Sequence, residues 1–407
     1  SRNVDFALPF EGNNYSMTGM GGSNNYDFRA GSMQTGHYAS VGVANRNYTL
    51  RGLYTYSSGF NDKGWAISAG LTYRWANRGY VEGTFYNALS YYFGVQKKWD
   101  NGHSLSFTTW GNPTERSTQG AATDETYWLA NDYYYNPYWG YYKGHKRNSR
   151  VVNDFAPSAI ATWDWNINDK MKLTTSVFGK YSMYKSTKLN YANAENPQPD
   201  YWKNLPSSYY DIWNADALGN NSATLQSWYN SYNHWTASKA NRQIDWERLY
   251  YANTQAANQS KDALYFIQAK HNDNLMFNMA STLSAKVTKR STLVGGLVLG
   301  SNSNRHYQTM DDLLGASFFH NINTYALGTY PANDPRVQYD LNTAGPNNLG
   351  SLVYEGDKFG YDYKIEVMKG LLWTSYTAEM GRFQTMISAK LGQTNMRRHG
   401  YMRNGMA

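Results

Sequence analysis

The fold is decided by the stretch Trp65 to Trp75, which reads WAISAGLTYRW. Its residues alternate with a period of two, the repeat of a pleated β-strand. One face carries only apolar and aromatic residues, namely Trp65, Ile67, Ala69, Leu71, Tyr73 and Trp75. The other face is small or polar, with Ala66, Ser68, Gly70, Thr72 and Arg74. The stretch therefore predicts a strand with one apolar face and one polar face.

The two tryptophans of this strand mark its ends. They lie about 33 Å apart along the strand, and a tilt of roughly 40° reduces the vertical separation to about 25 Å, the height of the apolar band on an outer-membrane barrel. Indole rings prefer the two membrane interfaces. We therefore expect Trp65 and Trp75, with Trp99 of the next strand, to form part of a membrane-interface girdle. A half-buried strand of a soluble sandwich is the alternative.

The same alternation recurs at 91–99, 173–183, 277–287 and 383–391. Together with less regular segments these stretches predict about eleven strands. The second faces are polar and basic, as expected for a water-filled barrel interior. The residues predicted to face this lumen are Thr72, Arg74, Gln96, Lys98, Lys180, Lys286 and Lys390. Trp110 breaks the pattern, because it shares a parity with Ser104, Ser106 and Thr108, and a β-bulge would correct its register.

Composition narrows the class of protein. The 407 residues include no cysteine, 16% are aromatic and 17% are charged, well below the charge of an ordinary soluble surface. No apolar run is long enough for a membrane helix, which leaves membrane strands open. The net charge is +8, but the basic residues are scattered. We therefore expect no nucleic-acid partner, since such binding needs basic charge concentrated on one face.

The connections between strands alternate in length. Short turns rich in Asn, Asp and Gly occur at 60–64, 100–103, 168–170, 288–291 and 379–382. Between them lie long connections at about 76–88, 111–157, 185–273 and 304–370. Barrels with short periplasmic turns and long extracellular loops alternate in this way. The pattern predicts an all-β, antiparallel transmembrane β-barrel.

Several segments resemble TonB-dependent outer-membrane receptors of the Bacteroidota. They are 64–119, Asn136 to Val151 (NPYWGYYKGHKRNSRV), Tyr307 to Ala316 (YQTMDDLLGA), Gly356 to Ile365 (GDKFGYDYKI) and Arg397 to Gly405 (RRHGYMRNG). The resemblance implies a barrel of about 22 strands closed by a plug, with uptake powered by the TonB system in the outer membrane of a Gram-negative bacterium.

About eleven strands are half of that barrel. We therefore expect residues 1–35 to connect a plug to the barrel and to include the first strand region. Residues 36–407 are expected to form the N-terminal half of the barrel, with the plug and TonB box outside this sequence. Outer-membrane lipid and the TonB system are the expected partners, and whether a surface lipoprotein binds alongside stays open.

We find no pattern that predicts catalysis. The eight histidines lack the spacing of a helical metal site, there is no cysteine, and neither a nucleophile elbow nor a phosphate-binding loop occurs. The sequence predicts no enzyme, no cofactor, no catalytic residue and no metal site.

The stretch Asn131 to Gly144, NDYYYNPYWGYYKG, is the candidate ligand site. It holds six tyrosines and a tryptophan in what reads as an extracellular loop. Tyr and Trp present large, stiff, amphipathic surfaces. The seven rings could form a platform for a ligand or a small aromatic core that folds the loop. They are Tyr133, Tyr134, Tyr135, Tyr138, Trp139, Tyr141 and Tyr142.

Two functions fit this sequence. The first is active, TonB-dependent import of a nutrient, with siderophore, cobalamin, oligosaccharide and peptide all open. The basic lumen face favours an anionic or hydroxyl-rich ligand. The second is a barrel that does not transport and serves as a scaffold, an adhesin or a subunit of an outer-membrane assembly.

Overall fold

The computed structural model describes residues 4–9, 11, 13–17, 20–210, 222–345 and 350–406. The α-helices in these residues are α1 (Asp124–Ala130), α2 (Ser222–Ala237) and α3 (Trp246–Asn258). Single 3₁₀ turns lie at Ala30–Ser32, Trp202–Asn204, Pro206–Tyr209, Ala240–Arg242, Ala326–Gly328 and Pro335–Val337. The strands are β1 (Val4–Ala7), β2 (Ser23–Tyr26), β3 (Gly36–Val43), β4 (Leu50–Ser57), β5 (Trp65–Ala76), β6 (Tyr86–Lys98), β7 (His103–Gly111), β8 (Thr114–Ser117), β9 (Trp139–Tyr142), β10 (His145–Asn148), β11 (Val151–Phe155), β12 (Ser158–Asn168), β13 (Met171–Tyr191), β14 (Tyr265–Thr288), β15 (Ser291–Asp312), β16 (Phe319–His320), β17 (Leu352–Val353), β18 (Lys358–Met380) and β19 (Phe383–Gly400).

Within the described residues, every helix is too short or too polar to cross a membrane.

One antiparallel sheet dominates the structure and contains 13 strand segments. Its order is β19, β18, β15, β14, β13, then β12 with β11, then β7 with β8, then β6, β5, β4 and β3. The paired segments are interrupted at Pro113 and Pro157, which have no amide hydrogen to donate to the ladder. The register continues across both interruptions. Counted as continuous strands, the sheet has eleven (13 minus 2), which confirms the predicted number.

The two faces of the sheet differ as the alternation predicted. On the outer face Trp65, Ile67 and Leu71 are 43–50% exposed, whereas Ala66 and Ser68 on the inner face are almost fully buried. Part of the inner face, on β5, β6, β7 and β12, is covered by Tyr26 to Met33, which we call the strap. The strap follows the hairpin of β1 and β2, and β3 begins at Gly36.

Polar contacts hold the strap on the inner face. The amide of Gly31 donates to the side chain of Gln96 (3.0 Å), and the hydroxyls of Tyr92 and Ser68 donate to strap carbonyls. Arg29 forms an ion pair with Asp164 (2.9 Å), a nearly buried carboxylate. Polar side chains on the inner face of these strands are therefore hydrogen-bonded to another segment of the same chain, the strap.

Trp110 keeps its polar-face parity without the β-bulge that would have corrected it. Strand β7 keeps a regular register with both of its neighbours, so Trp110 lies on the inner face. There its ring stacks on Phe28 of the strap, with centroids 5.1 Å apart. The stacking on Phe28 therefore explains why Trp110 lies on the inner face of β7 among polar residues.

The outer face carries aromatic rings at the end with the short turns. Trp65 and Trp99 lie there, and the ammonium of Lys97 sits 5.4 and 5.8 Å from their ring centroids. Trp163 and Trp165, which the sequence reasoning did not single out, stack on each other, with ring centroids 6.0 Å apart, and each also stacks on His103. Trp75 lies at the opposite end of β5. All three tryptophans predicted for the girdle are exposed on the outer face.

The short turns lie where the sequence predicted them, but three of the long connections are shorter than predicted. The observed connections are 77–85, 118–150, 192–264 and 313–357, and 211–221 and 346–349 within them lie outside the described residues. The predicted ranges 111–157, 185–273 and 304–370 included strand residues, because these strands continue beyond the apolar band with polar residues on both faces. There the alternation that identified them disappears.

Candidate functional site

The inner face collects all seven residues predicted to face the lumen. Gln96 contacts the strap directly. Thr72 and Arg74 on β5 lie on the same face as Gln96, as the pairing of β5 with β6 shows. Lys98 lies two residues after Gln96 on β6, on that face too. Lys180 pairs with Ser158, the neighbour of Trp110 on this face. Lys286 and Lys390 have the same orientation further along the sheet.

A cavity of about 610 Å³ opens on the inner face at the end with the long connections. It is lined by Asn45, Arg46, Asn47, Tyr48, Arg74, Tyr80 and Tyr86. We call it the mouth cavity. Its lining combines guanidinium groups, tyrosine rings and amides and contains no carboxylate. Such a lining suits a ligand that is anionic or rich in acceptors.

Two arginines lie side by side beneath this cavity. Arg51 on β4 is directly opposite Arg74 on β5, and like charges in that position repel. The ion pairs between described residues include neither of them, nor Arg46. The Nε of Arg51 is buried without a hydrogen-bond partner among the described residues, whereas Arg74 lies over the ring of Tyr48 at 5.7 Å. An anion between the two guanidinium groups would relieve the repulsion.

The predicted aromatic stretch divides into buried and exposed rings. Tyr135 and Trp139 are 9% and 2% exposed. Tyr135 packs edge-on against Trp235 of α2, and its hydroxyl donates to the carbonyl of Arg242 (2.9 Å). Burial raises the pKa of the Tyr135 hydroxyl, so it stays a neutral donor. These two rings form a core.

Trp139 belongs to an element that the sequence reasoning took for an irregular loop. Strands β9 and β10 form a hairpin here, and its two turn residues, Lys143 and Gly144, both have positive φ (48° and 78°). That is the geometry of a tight hairpin turn. Next to Trp139, Gly140 packs so closely against the backbone of Ile244 that no side chain would fit.

Tyr138 and Tyr142 are half-buried. The guanidinium of Arg150 lies over Tyr138 at 4.6 Å. Tyr142 stacks on Tyr250 of α3, with ring centroids 4.5 Å apart and planes within 8°. Both rings therefore hold loops together more than they face solvent.

Tyr133, Tyr134 and Tyr141 are the exposed rings, at 86%, 56% and 50%. Tyr134 makes an edge-to-face contact with Tyr80, which lines the mouth cavity, at 5.6 Å. The aromatic stretch thus supplies a core and also an exposed ring beside the cavity. The seven rings do not form one surface, because four of them are used in packing, as in the aromatic core that the sequence left open beside a ligand platform.

Glu82 holds three of the long connections together beside the mouth cavity. Glu82 in 77–85 forms ion pairs with Lys239 and, at 3.7 Å, with Lys146 of β10. Burial alone would raise the pKa of Glu82, but the hydrogen bond from Lys239 and the nearby cationic charges outweigh it and lower the pKa. Glu82 therefore stays ionised and keeps the loops together at neutral pH.

The sequence reasoning missed Arg51, Tyr48, Tyr80 and Tyr86. Arg51 was detectable in principle, because β4 alternates and its register with β5 places it opposite Arg74. Tyr48 and Tyr80 lie in the connections between strands. Residues there do not alternate between two faces, so the sequence does not predict which way their side chains point.

No protein-family model and no curated protein matches this sequence. Solved structures do match. One is the ferripyoverdine receptor of the outer membrane of Pseudomonas aeruginosa bound to ferripyoverdine, with a TM-score of 0.54 and 8% identity over 98% of this chain and 42% of that one. Another is the closed form of the ferric-catecholate import receptor Fiu of E. coli K12, with a TM-score of 0.52 and 9% identity over 94% of this chain and 44% of that one.

The present chain therefore spans less than half the length of these receptors. At such low identity the likeness concerns the fold. The chain has the fold of an outer-membrane receptor β-barrel, antiparallel, with short turns at one end and long loops at the other.

Proposed function

We propose that this chain is part of an outer-membrane receptor that imports a nutrient by TonB-dependent transport. The observation that carries the proposal is the mouth cavity, in which Arg74 and Tyr80 lie between the exposed ring of Tyr134 and the polar inner wall. A ligand captured at the loops would thus meet a site complementary to negative charge before it reaches the interior. The similar receptors bind ferripyoverdine or import ferric catecholates by name, which supports a transport role for this fold.

The barrel wall is completed, in this proposal, by strands outside this sequence. Among the described residues, β3 and β19 each pair with a neighbour on one side only. An unpaired strand edge in lipid is very costly. The native protein should therefore have an intact mass well above the 46.4 kDa of this chain, and a mass near that value would contradict the proposal. A plug that binds the TonB system belongs to the same proposal, and an origin in the Bacteroidota rests on the sequence resemblance.

Import can be tested before the ligand is known. Cells that carry the full-length protein, with and without a working TonB system, are grown in a complex medium, and the loss of small molecules from the medium is measured by mass spectrometry. We expect depletion of one class of anionic or polyhydroxylated compounds only in cells with TonB. The variant Arg51→Gln with Arg74→Gln should weaken depletion at limiting concentrations, whereas Arg290→Gln with Arg382→Gln, in the short turns at the opposite end of the sheet, should not.

Depletion that is independent of TonB, or no depletion at all, would overturn the import proposal. In that case the alternative, a barrel that serves as a scaffold, an adhesin or a subunit of an assembly, would predict a stable protein partner for the exposed aromatic loops.

A further inference from the structure

Lys97 interrupts the apolar outer face of β6 at the end with the short turns. It follows Phe93 and Val95 on that face. Across the register it lies opposite Trp65 of β5 and Leu105 of β7. A charged side chain beside lipid is unfavourable unless its charge reaches the headgroup region or meets a partner. The position of Lys97 therefore requires an explanation that the apolar band does not provide.

The ammonium group of Lys97 lies between two indole rings. Its Nζ is 5.4 Å from the ring centroid of Trp65 and 5.8 Å from that of Trp99. It also donates a hydrogen bond to the carbonyl of Lys63, in the turn between β4 and β5. The ion pairs between described residues do not include Lys97. Because an ammonium group has three hydrogens, two of them remain for a ligand.

The polar groups around Lys97 are also hydrogen-bond donors. The indole N–H groups of Trp65 and Trp99 have no acceptor within the described part of the chain, and both rings are 45% exposed. The Nδ1 of His103 accepts a hydrogen bond from the indole of Trp163 (3.1 Å), so the ring carries a hydrogen on Nε2. We call Trp65, Lys97, Trp99 and His103 the donor cluster.

The surroundings of the donor cluster contain few carboxylates. The outer face of β4, β5, β6, β7 and β12 has no Asp or Glu. Asp62 and Asp100 lie in the adjoining turns, and neither forms an ion pair with Lys97. The short turns at this end carry more basic than acidic residues. The basic ones are Lys63, Lys170, Lys289, Arg290 and Arg382, and the acidic ones are Asp62, Asp100 and Asp169. The surface therefore suits a group that is negatively charged and rich in acceptors.

The position of the donor cluster in the membrane identifies this group. Short turns face the periplasm in outer-membrane barrels, and Trp and Lys side chains at the edge of the apolar band lie at the level of the lipid headgroups. At that level the anion of a bilayer that is rich in acceptors is the phosphate of a phospholipid. Its acyl chains would continue along Val95, Leu105 and Phe107 of the apolar band.

We propose that the donor cluster binds an anionic phospholipid of the periplasmic leaflet, whose phosphate accepts hydrogen bonds from Lys97 and from the indoles of Trp65 and Trp99. The excess of basic residues in the short turns favours a headgroup with a net negative charge over a zwitterionic one. The inference concerns the outer surface of the barrel and does not depend on import through its interior.

The experiment uses the full-length protein purified in a mild detergent, with native mass spectrometry to count the lipids that bind. The probes are dioleoyl phosphatidylglycerol and diglucosyl dioleoylglycerol, which has the same acyl chains and no phosphate. The test variants are Lys97→Gln and the double variant Trp65→Phe with Trp99→Phe, which keeps both rings and removes their donors. The matched control is Lys98→Gln, because Lys98 is the next residue but lies on the inner face, over the ring of Phe60. Lys97→Arg keeps the charge and the donors.

We expect the unmodified protein to bind phosphatidylglycerol about 10-fold more tightly than the glucosyl lipid. Lys97→Gln should weaken phosphatidylglycerol binding about 5-fold to 10-fold, and the phenylalanine variant should weaken it as well. Lys98→Gln and Lys97→Arg should retain it. A lysine that only extends toward water, between tryptophans that only occupy the interface, would give the same lipid preference in every variant. Equal binding of the two lipids, or unchanged phosphatidylglycerol binding by either test variant, would overturn the inference.

Discussion

Replacing Trp246 with alanine should open the loops above the barrel without unfolding the barrel itself. Trp246 is fully buried at the start of α3, in a cluster with Leu189, Ile244 and Leu314. Its indole nitrogen donates to the carbonyl of Arg147 (3.2 Å), whose guanidinium lies 4.5 Å from the indole ring. This residue therefore joins the hairpin of β9 and β10 to α3.

The magnitude follows from these contacts. Removing a buried tryptophan side chain costs about 3–5 kcal/mol, which corresponds to a roughly 150-fold to 5000-fold increase in the population of the open loops. Trp246→Phe keeps most of the ring and loses the donor to Arg147, so it should cost only about 1–2 kcal/mol. The sheet contacts of the membrane strands are unaffected by either change.

Hydrogen exchange provides the assay, because protection at each amide reports the free energy of local opening. We expect protection to fall at Ile244, whose amide donates to the carbonyl of Trp139 (3.0 Å), and to stay unchanged at 275–285 of β14, away from Tyr265 and Ile267, which pack in the cluster of Trp246. Tyr251→Ala is the matched control, since Tyr251 lies on the same helix and is 68% exposed. Unchanged protection at Ile244 in the alanine variant, or loss of protection throughout the sheet, would refute the view that the loops form a separate packed unit.

Three further changes test neighbouring features. Glu82→Gln should loosen the contact with Lys239 by less than about 1 kcal/mol. The pKa of Glu82 is lowered in the folded protein. Its contribution to stability is therefore present above the ordinary glutamate pKa near ~4.3 and is lost on acidification below it. In the variant, the susceptibility of the loops to proteolysis should consequently depend less on pH. Gly140→Ala should destabilise the hairpin by about 1–3 kcal/mol, because its methyl group would collide with Ile244; a thermal melt of the loops with unchanged midpoint would contradict this. Trp99→Ala should shift the depth of the barrel in bilayers, seen by fluorescence quenching with depth-specific lipid probes, and equal quenching in both proteins would argue against an interface position.

The fold was predictable where lipid and water lie on opposite faces of a strand. In β5 and β6 the two environments impose an alternation of apolar and polar residues, and the structure reproduces it. Above the apolar band that contrast disappears. The outer face of the tall strands there carries a polar row, in which Lys185, His271, Tyr307 and Asp362 are consecutive cross-strand partners. Polar residues on both faces read as loop, and this explains why the long connections were predicted too long.

The candidate site was predictable only in part, because its parts come together by tertiary packing. Parity placed Arg74 on the inner face. Parity could not separate buried Tyr135 from exposed Tyr133 in the aromatic stretch, since the difference depends on Trp235 in another connection.

The unequal height of the wall explains how a connection from the tall side reaches the rim of the mouth cavity. Strands β3 to β6 have 8–13 residues, whereas β13, β14, β15 and β18 have 21–24. The connection 192–264 starts from the tall side, and its Lys239 and Ile244 reach Glu82 and Gly140 beside the low side. We infer that the connection 192–264 holds the low-side connection 77–85 in place through Lys239 and Glu82. Weakening the contacts at Glu82 should therefore affect access to the cavity before it affects the stability of the strands beneath it.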